Sequence, residues 1–64
     1  MCESNVFFKQ NGTENLIMEN VAAISPMGEK KLVLKGLLGD TKEIEGKIED
    51  INLMAHKIVI VQAK

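Results

Sequence analysis

Ile58-Val59-Ile60-Val61 constrains this chain more than any other stretch, because it sets four β-branched residues in succession between Lys57 and Gln62. Two branches on Cβ restrict rotamers in a helix and pack well on a pleated surface, so the run reads as a strand. Apolar side chains on both faces imply a strand covered on both sides. One face fills a core. The other, carrying Val59 and Val61, needs a second cover, and a subunit interface is the natural one.

The rest of the chain supplies partners for such a strand. Residues Cys2 to Phe8 alternate, with Cys2, Ser4, Val6 and Phe8 on one face and Glu3, Asn5, Phe7 and Lys9 on the other. Gln10-Asn11-Gly12-Thr13 carries the Asn-Gly pair of a tight hairpin, whose two central residues need positive φ. Leu16-Ile17-Met18 and Val21-Ala22-Ala23-Ile24 form a second strand, bent or bulged at Glu19-Asn20. Ser25-Pro26-Met27-Gly28 reads as a turn. Lys30 to Lys35 is a half-buried strand with Leu32 and Leu34 inward. Gly36-Leu37-Leu38-Gly39-Asp40-Thr41 connects onward, its two leucines suggesting a loop packed onto another surface, such as a second subunit. Lys42 to Asn52 reads as one strand with Ile44, Gly46 and Ile48 on a shared face and a bend at Gly46; Ile44, Ile48 and Ile51 also fit a helix. Leu53-Met54-Ala55-His56 is a turn. Five to seven short strands with glycine-rich turns indicate an all-β fold, a small curled sheet or barrel.

Size sharpens this expectation. At 64 residues the chain is one domain, residues 1–64, and buries only about 60% of the surface its unfolded form exposes. Domains this small usually need a disulfide, a metal or a partner subunit. One cysteine closes no intrachain disulfide, so oligomerisation is the expected supplement, and the lack of a cysteine framework suits a reducing, cytoplasmic setting. No segment approaches the ~20 apolar residues of a membrane span. Eight lysines, no arginine and nine carboxylates give a formal net charge of −1, which argues against a nucleic-acid binder with its basic face. Phe7 and Phe8 are the only aromatic residues and offer little for base stacking.

The chemistry sits at the start of the chain. Cys2 places a thiolate sulfur and its own backbone nitrogen beside the terminal amine, within one or two five-membered chelate rings. If Met1 is removed, the donors are the Cys2 amine and sulfur; if Met1 stays, they are the Met1 amine, the Cys2 amide nitrogen and the sulfur. Soft sulfur with strong-field nitrogen suits Ni(II) or Cu(II) better than the tetrahedral set of zinc. A cysteine in this place is otherwise a small, inert strand residue. His56, the one imidazole, reads first as a turn residue and second as an auxiliary ligand. Glu3 points away from Cys2 as solvated charge, and Met18, Met27 and Met54 are dispersed core fillers. No catalytic constellation is visible, since a terminal cysteine lacks the oriented base and oxyanion donors of nucleophilic catalysis.

Taken together, Met1-Cys2-Glu3-Ser4-Asn5, Leu16-Ile17-Met18-Glu19-Asn20-Val21, Gly39-Asp40-Thr41-Lys42 and His56-Lys57-Ile58-Val59 resemble the CooT family of small nickel-binding proteins. The resemblance runs along nearly the whole chain. These proteins are accessory factors for nickel insertion into carbon monoxide dehydrogenase. The resemblance implies a small SH3-like β-barrel, a homodimer, and Ni(II) bound through Cys2 with the two Cys2 residues close across the dimer. Partners would be a second copy and a nickel enzyme or its maturation factors. Asn20 and Asp40-Thr41 depart from the acidic residue and Glu-Gln pair expected of many relatives, away from the N-terminus. A metal-free SH3-like interaction module using Leu37 and Leu38 is the alternative reading. An Sm-like nucleic-acid binder is disfavoured by the missing arginines.

Overall fold

The computed structural model describes residues 3–62. Its strands are β1 Ser4–Gln10, β2 Thr13–Met27, β3 Lys31–Gly36, β4 Thr41–Glu45, β5 Lys47–Asn52 and β6 Lys57–Val61. They form a single six-stranded sheet in the order β4-β3-β2-β1-β6-β5. Every neighbouring pair is antiparallel except β1 and β6, which run in the same direction with Asn5 opposite Lys57 and Lys9 opposite Val61. The first and last strands therefore lie side by side in the middle of the sheet.

Local sequence explains most of the turns. Asn11 and Gly12 adopt φ of 54° and 79°, the left-handed pair that a two-residue hairpin requires. β2 is long and is bent where the polar pair interrupts it: between Met18 and Val21 it uses one residue more than β1 does, and Asn20 is left-handed at φ 55°. A second irregularity follows between Val6 and Phe7. It lets the consecutive residues Ile17 and Met18 both pack against the core, which a regular strand would forbid.

Two expectations are corrected. Ser25-Pro26-Met27 is not a turn but the end of β2, paired with Val33, Leu32 and Lys31, and the chain reverses at Gly28, where φ is 78°. Beyond Val21, β2 has lost its β1 partner, so the missing N–H of Pro26 forfeits no bond on that side. Lys42 to Asn52 is likewise neither one strand nor a helix. Gly46 divides it into β4 and β5, which occupy opposite edges of the sheet although one residue separates them. Those two facts force the sheet to curl until its edges meet at a corner. There the Gly46 N–H donates to the carbonyl of Lys30 at 2.8 Å. The result is a small, incompletely closed β-barrel.

The interior holds Val6, Leu34 and Ile60, fully buried, with Val21 and Leu32 beside them and Phe8, Ile17, Met18, Ile24, Ile44 and Ile58 packed around. Val59 corrects a further expectation. It is 4% exposed yet outside the core cluster, so it leaves water without a second subunit. Across from it in register stands Phe7, whose ring lies 5.1 Å from the Lys57 ammonium. That ammonium also pairs with Glu14 on β2. A thin outer layer thus shields the middle of the sheet.

Candidate functional site

The proposed donors, Met1 and Cys2, lie outside the described residues, but the strand that carries them is fixed at its start from two sides. The Asn5 N–H donates to the carbonyl of His56 at 2.8 Å, and the Asn5 side-chain oxygen accepts the N–H of Asn20 at 3.3 Å. One bond comes from the turn that leads into β6 and the other from the bulge of β2. Ser4, between Asn5 and the end of the chain, is 7% exposed. The first residues of β1, Ser4 and Asn5, are therefore held by the fold.

The adjoining turn, Leu53 to His56, is built from its own polar groups. Asn52 accepts the Ala55 N–H on its side-chain oxygen at 3.0 Å, and the His56 N–H donates to the Leu53 carbonyl at 3.4 Å. His56 is left-handed at φ 53°. Its backbone closes the turn and holds β1, while its imidazole is exposed. This agrees with the reading of His56 as a turn residue. The methionines are dispersed as expected, but only Met18 fills the core; Met27, the last residue of β2, and Met54, in the turn before β6, are 52% and 95% exposed and so are not the core fillers their apolar character suggested.

Next to Ser4 the sheet leaves a groove between the second half of β2 and the edge strand β5. Its volume is about 310 Å³, and Ser4, Ala22, Ala23, Ile48, Ile51 and Leu53 line it. Ile48, Ile51 and Leu53 are 39%, 52% and 69% exposed. Three large aliphatic side chains in water at one place are unusual for so small a protein. Sequence reading missed this groove. Its signal was the isoleucine spacing that made residues 44–51 ambiguous between helix and strand.

Leu37 and Leu38, the other candidate contact residues, lie at a separate place. Leu38 is 96% exposed, on a concavity shared with Glu19, Asn20 and Asp40. Among the described residues no three His, Cys, Asp or Glu side chains converge on a point that would hold a metal. Nor does any buried side-chain nitrogen or oxygen among them lack a partner. No helix among the described residues is long and apolar enough to cross a membrane.

Comparison with known proteins accounts for the whole sheet. The family model described as CO dehydrogenase accessory protein CooT matches residues 1–61. An uncharacterized protein of Methanocaldococcus jannaschii is 40% identical over 60 residues, covering 94% of this chain and 96% of its own length. A crystal structure from Carboxydothermus hydrogenoformans, assigned there as a CooT, superposes with a TM-score of 0.89 at 30% identity, over 98% of this chain and 100% of that one.

Proposed function

The chain belongs to the CooT family of CO dehydrogenase accessory proteins, and from that premise we propose that it carries Ni(II) on Cys2 for the maturation of a nickel enzyme such as CO dehydrogenase. It serves an enzyme and is not one itself. Two copies associate through the apolar groove and share the metal between their N-termini. The working form is a cytoplasmic homodimer of one-domain chains.

One observation carries this reading. Ser4, two residues from Cys2, is buried in the groove whose other walls are Ile48, Ile51 and Leu53. A second copy covering those side chains would bring both chain starts to the same interface, because a two-fold contact buries the same patch of both subunits. The donor chemistry also suits the cargo. A thiolate with amine or amide nitrogen favours Ni(II) over hard oxygen-seeking ions. With few protein ligands at an open chain start, the metal can leave by ligand exchange. Binding releases protons, since a free thiol of pKa ~8.5 must ionise first, so uptake strengthens as pH rises.

The test is a titration of the reduced protein with Ni(II), followed by ultraviolet-visible absorption, beside Cys2→Ala. Thiolate-to-nickel charge-transfer bands should saturate at about one metal per pair of chains, as a shared two-fold site requires, and vanish in the variant. Silence in both proteins, or equal binding by both, sinks the reading.

A further inference from the structure

The Gly36–Asp40 turn exposes an apolar side chain that the fold does not use. Leu38 is 96% exposed and Leu37 43%. The backbone beneath them is held firmly. The Gly36 N–H donates to the Asp40 carbonyl at 2.8 Å, the Gly39 N–H to the Gly36 carbonyl at 3.1 Å, and the Leu37 N–H to the Asn20 carbonyl at 3.2 Å. Gly39 has φ of 89°. A Cβ on Gly36 would collide with the Asp40 carboxylate and stand 3.0 Å from Cε of Met18. Two glycines and a left-handed Asn20 thus shape a turn whose leucines stand in water. A rigid apolar anchor loses little backbone freedom when it docks.

Charge indicates what it docks into. Glu19 and Asp40 line the same concavity as Leu37 and Leu38. The lysines of the flanking strands, Lys35 and Lys42, are not among its walls. The patch therefore presents leucine beside two carboxylates, Glu19 and Asp40, and its complement is an apolar socket with lysine or arginine on the facing side. Oppositely charged rims mainly speed encounter and select the partner, while the buried apolar anchor slows release.

We propose that the Leu37–Leu38 turn is the docking knob by which this chain engages the CO dehydrogenase polypeptide, seating Leu38 in an apolar socket with a basic rim. The inference rests on the accessory role alone, and it is independent of the metal and of the groove.

The experiment measures binding of the full-length protein to purified nickel-free CO dehydrogenase by surface plasmon resonance, with wild type, Leu38→Ser, Asp40→Asn, Glu19→Gln and Cys2→Ala. Leu38→Ser should weaken affinity at least about tenfold, chiefly through faster release. The two charge variants should slow association and flatten its dependence on salt. Cys2→Ala should bind like wild type. A photo-crosslinker at position 38 should map to an apolar segment of the enzyme flanked by basic residues. Wild-type affinity in Leu38→Ser, a crosslink to an acidic surface, or no binding of wild type to the enzyme would each overturn the proposal. So would light scattering in which Leu38→Ser alone dissociates the dimer, since the turn would then be a contact between copies. Loss of nickel binding in Cys2→Ala with docking intact leaves this proposal standing, so the two readings fail separately.

Discussion

Gly46 lies so close to Ile60 that a Cβ at position 46 would stand 2.6 Å from the isoleucine Cγ2 and 2.7 Å from the Val61 carbonyl oxygen. The corner that joins the two edges of the sheet is thus built on a missing side chain. Gly46→Ala must push β5 away from β6 or displace a fully buried residue, at a cost of about 1–3 kcal/mol for overpacking. Urea unfolding followed by circular dichroism should show that loss. An unchanged midpoint would mean the corner yields freely.

Ile51 is half exposed beside the groove and contributes nothing to the core cluster. Ile51→Asp should therefore leave the strand spectrum intact while placing a charge in the interface between copies. Light scattering at micromolar concentration should report a monomer for the variant and a dimer for the wild type. If both are dimers, the groove is not the interface.

Nickel should stabilise the protein only if its site is completed by folding. Donors confined to the first residues of one chain would bind equally well in the unfolded state and leave the midpoint alone. A site shared by two folded copies adds about 2.7 kcal/mol at a free metal concentration a hundredfold above Kd. The expected result is a rise in thermal midpoint with Ni(II) in wild type that is absent in Cys2→Ala and in Ile51→Asp.

His56 holds a left-handed turn, and its carbonyl accepts the Asn5 N–H. Asparagine tolerates that conformation, so His56→Asn should keep both features and remove only the imidazole. Nickel affinity within about twofold of wild type is expected. A tenfold loss, equivalent to about 1.4 kcal/mol, would identify the imidazole as a ligand.

Much of the sheet was legible because side-chain alternation is a local property. Val6 with Phe8, Leu32 with Leu34, and the Asn11-Gly12 turn follow from residues within one strand or hairpin. Strand partners are not local. Nothing near Gly46 distinguishes a bend inside one strand from a crossing between opposite edges, and the difference depends on Ile60 and Lys30, which are far away in sequence. Val59 was misjudged for the same reason, since its cover comes from the parallel neighbour β1. Of the candidate site, the donor set at Cys2 was readable from atom types alone. The groove was not, because the exposure of Ile48 and Ile51 depends on β2 having no partner past Val21 on the side away from β3. Pro26 marked that free edge but read equally well as a turn residue.

The parallel pairing of β1 with β6 has a consequence in time. Asn5 and Lys57 stand opposite each other with almost the whole chain between them, and contacts of such long sequence separation close late and slowly. On the ribosome, β1 cannot acquire this neighbour until β6, which follows every other strand in the chain, has emerged. The middle of the sheet, where Val6 and Ile60 meet in the core, is thus the last part of the fold to be completed.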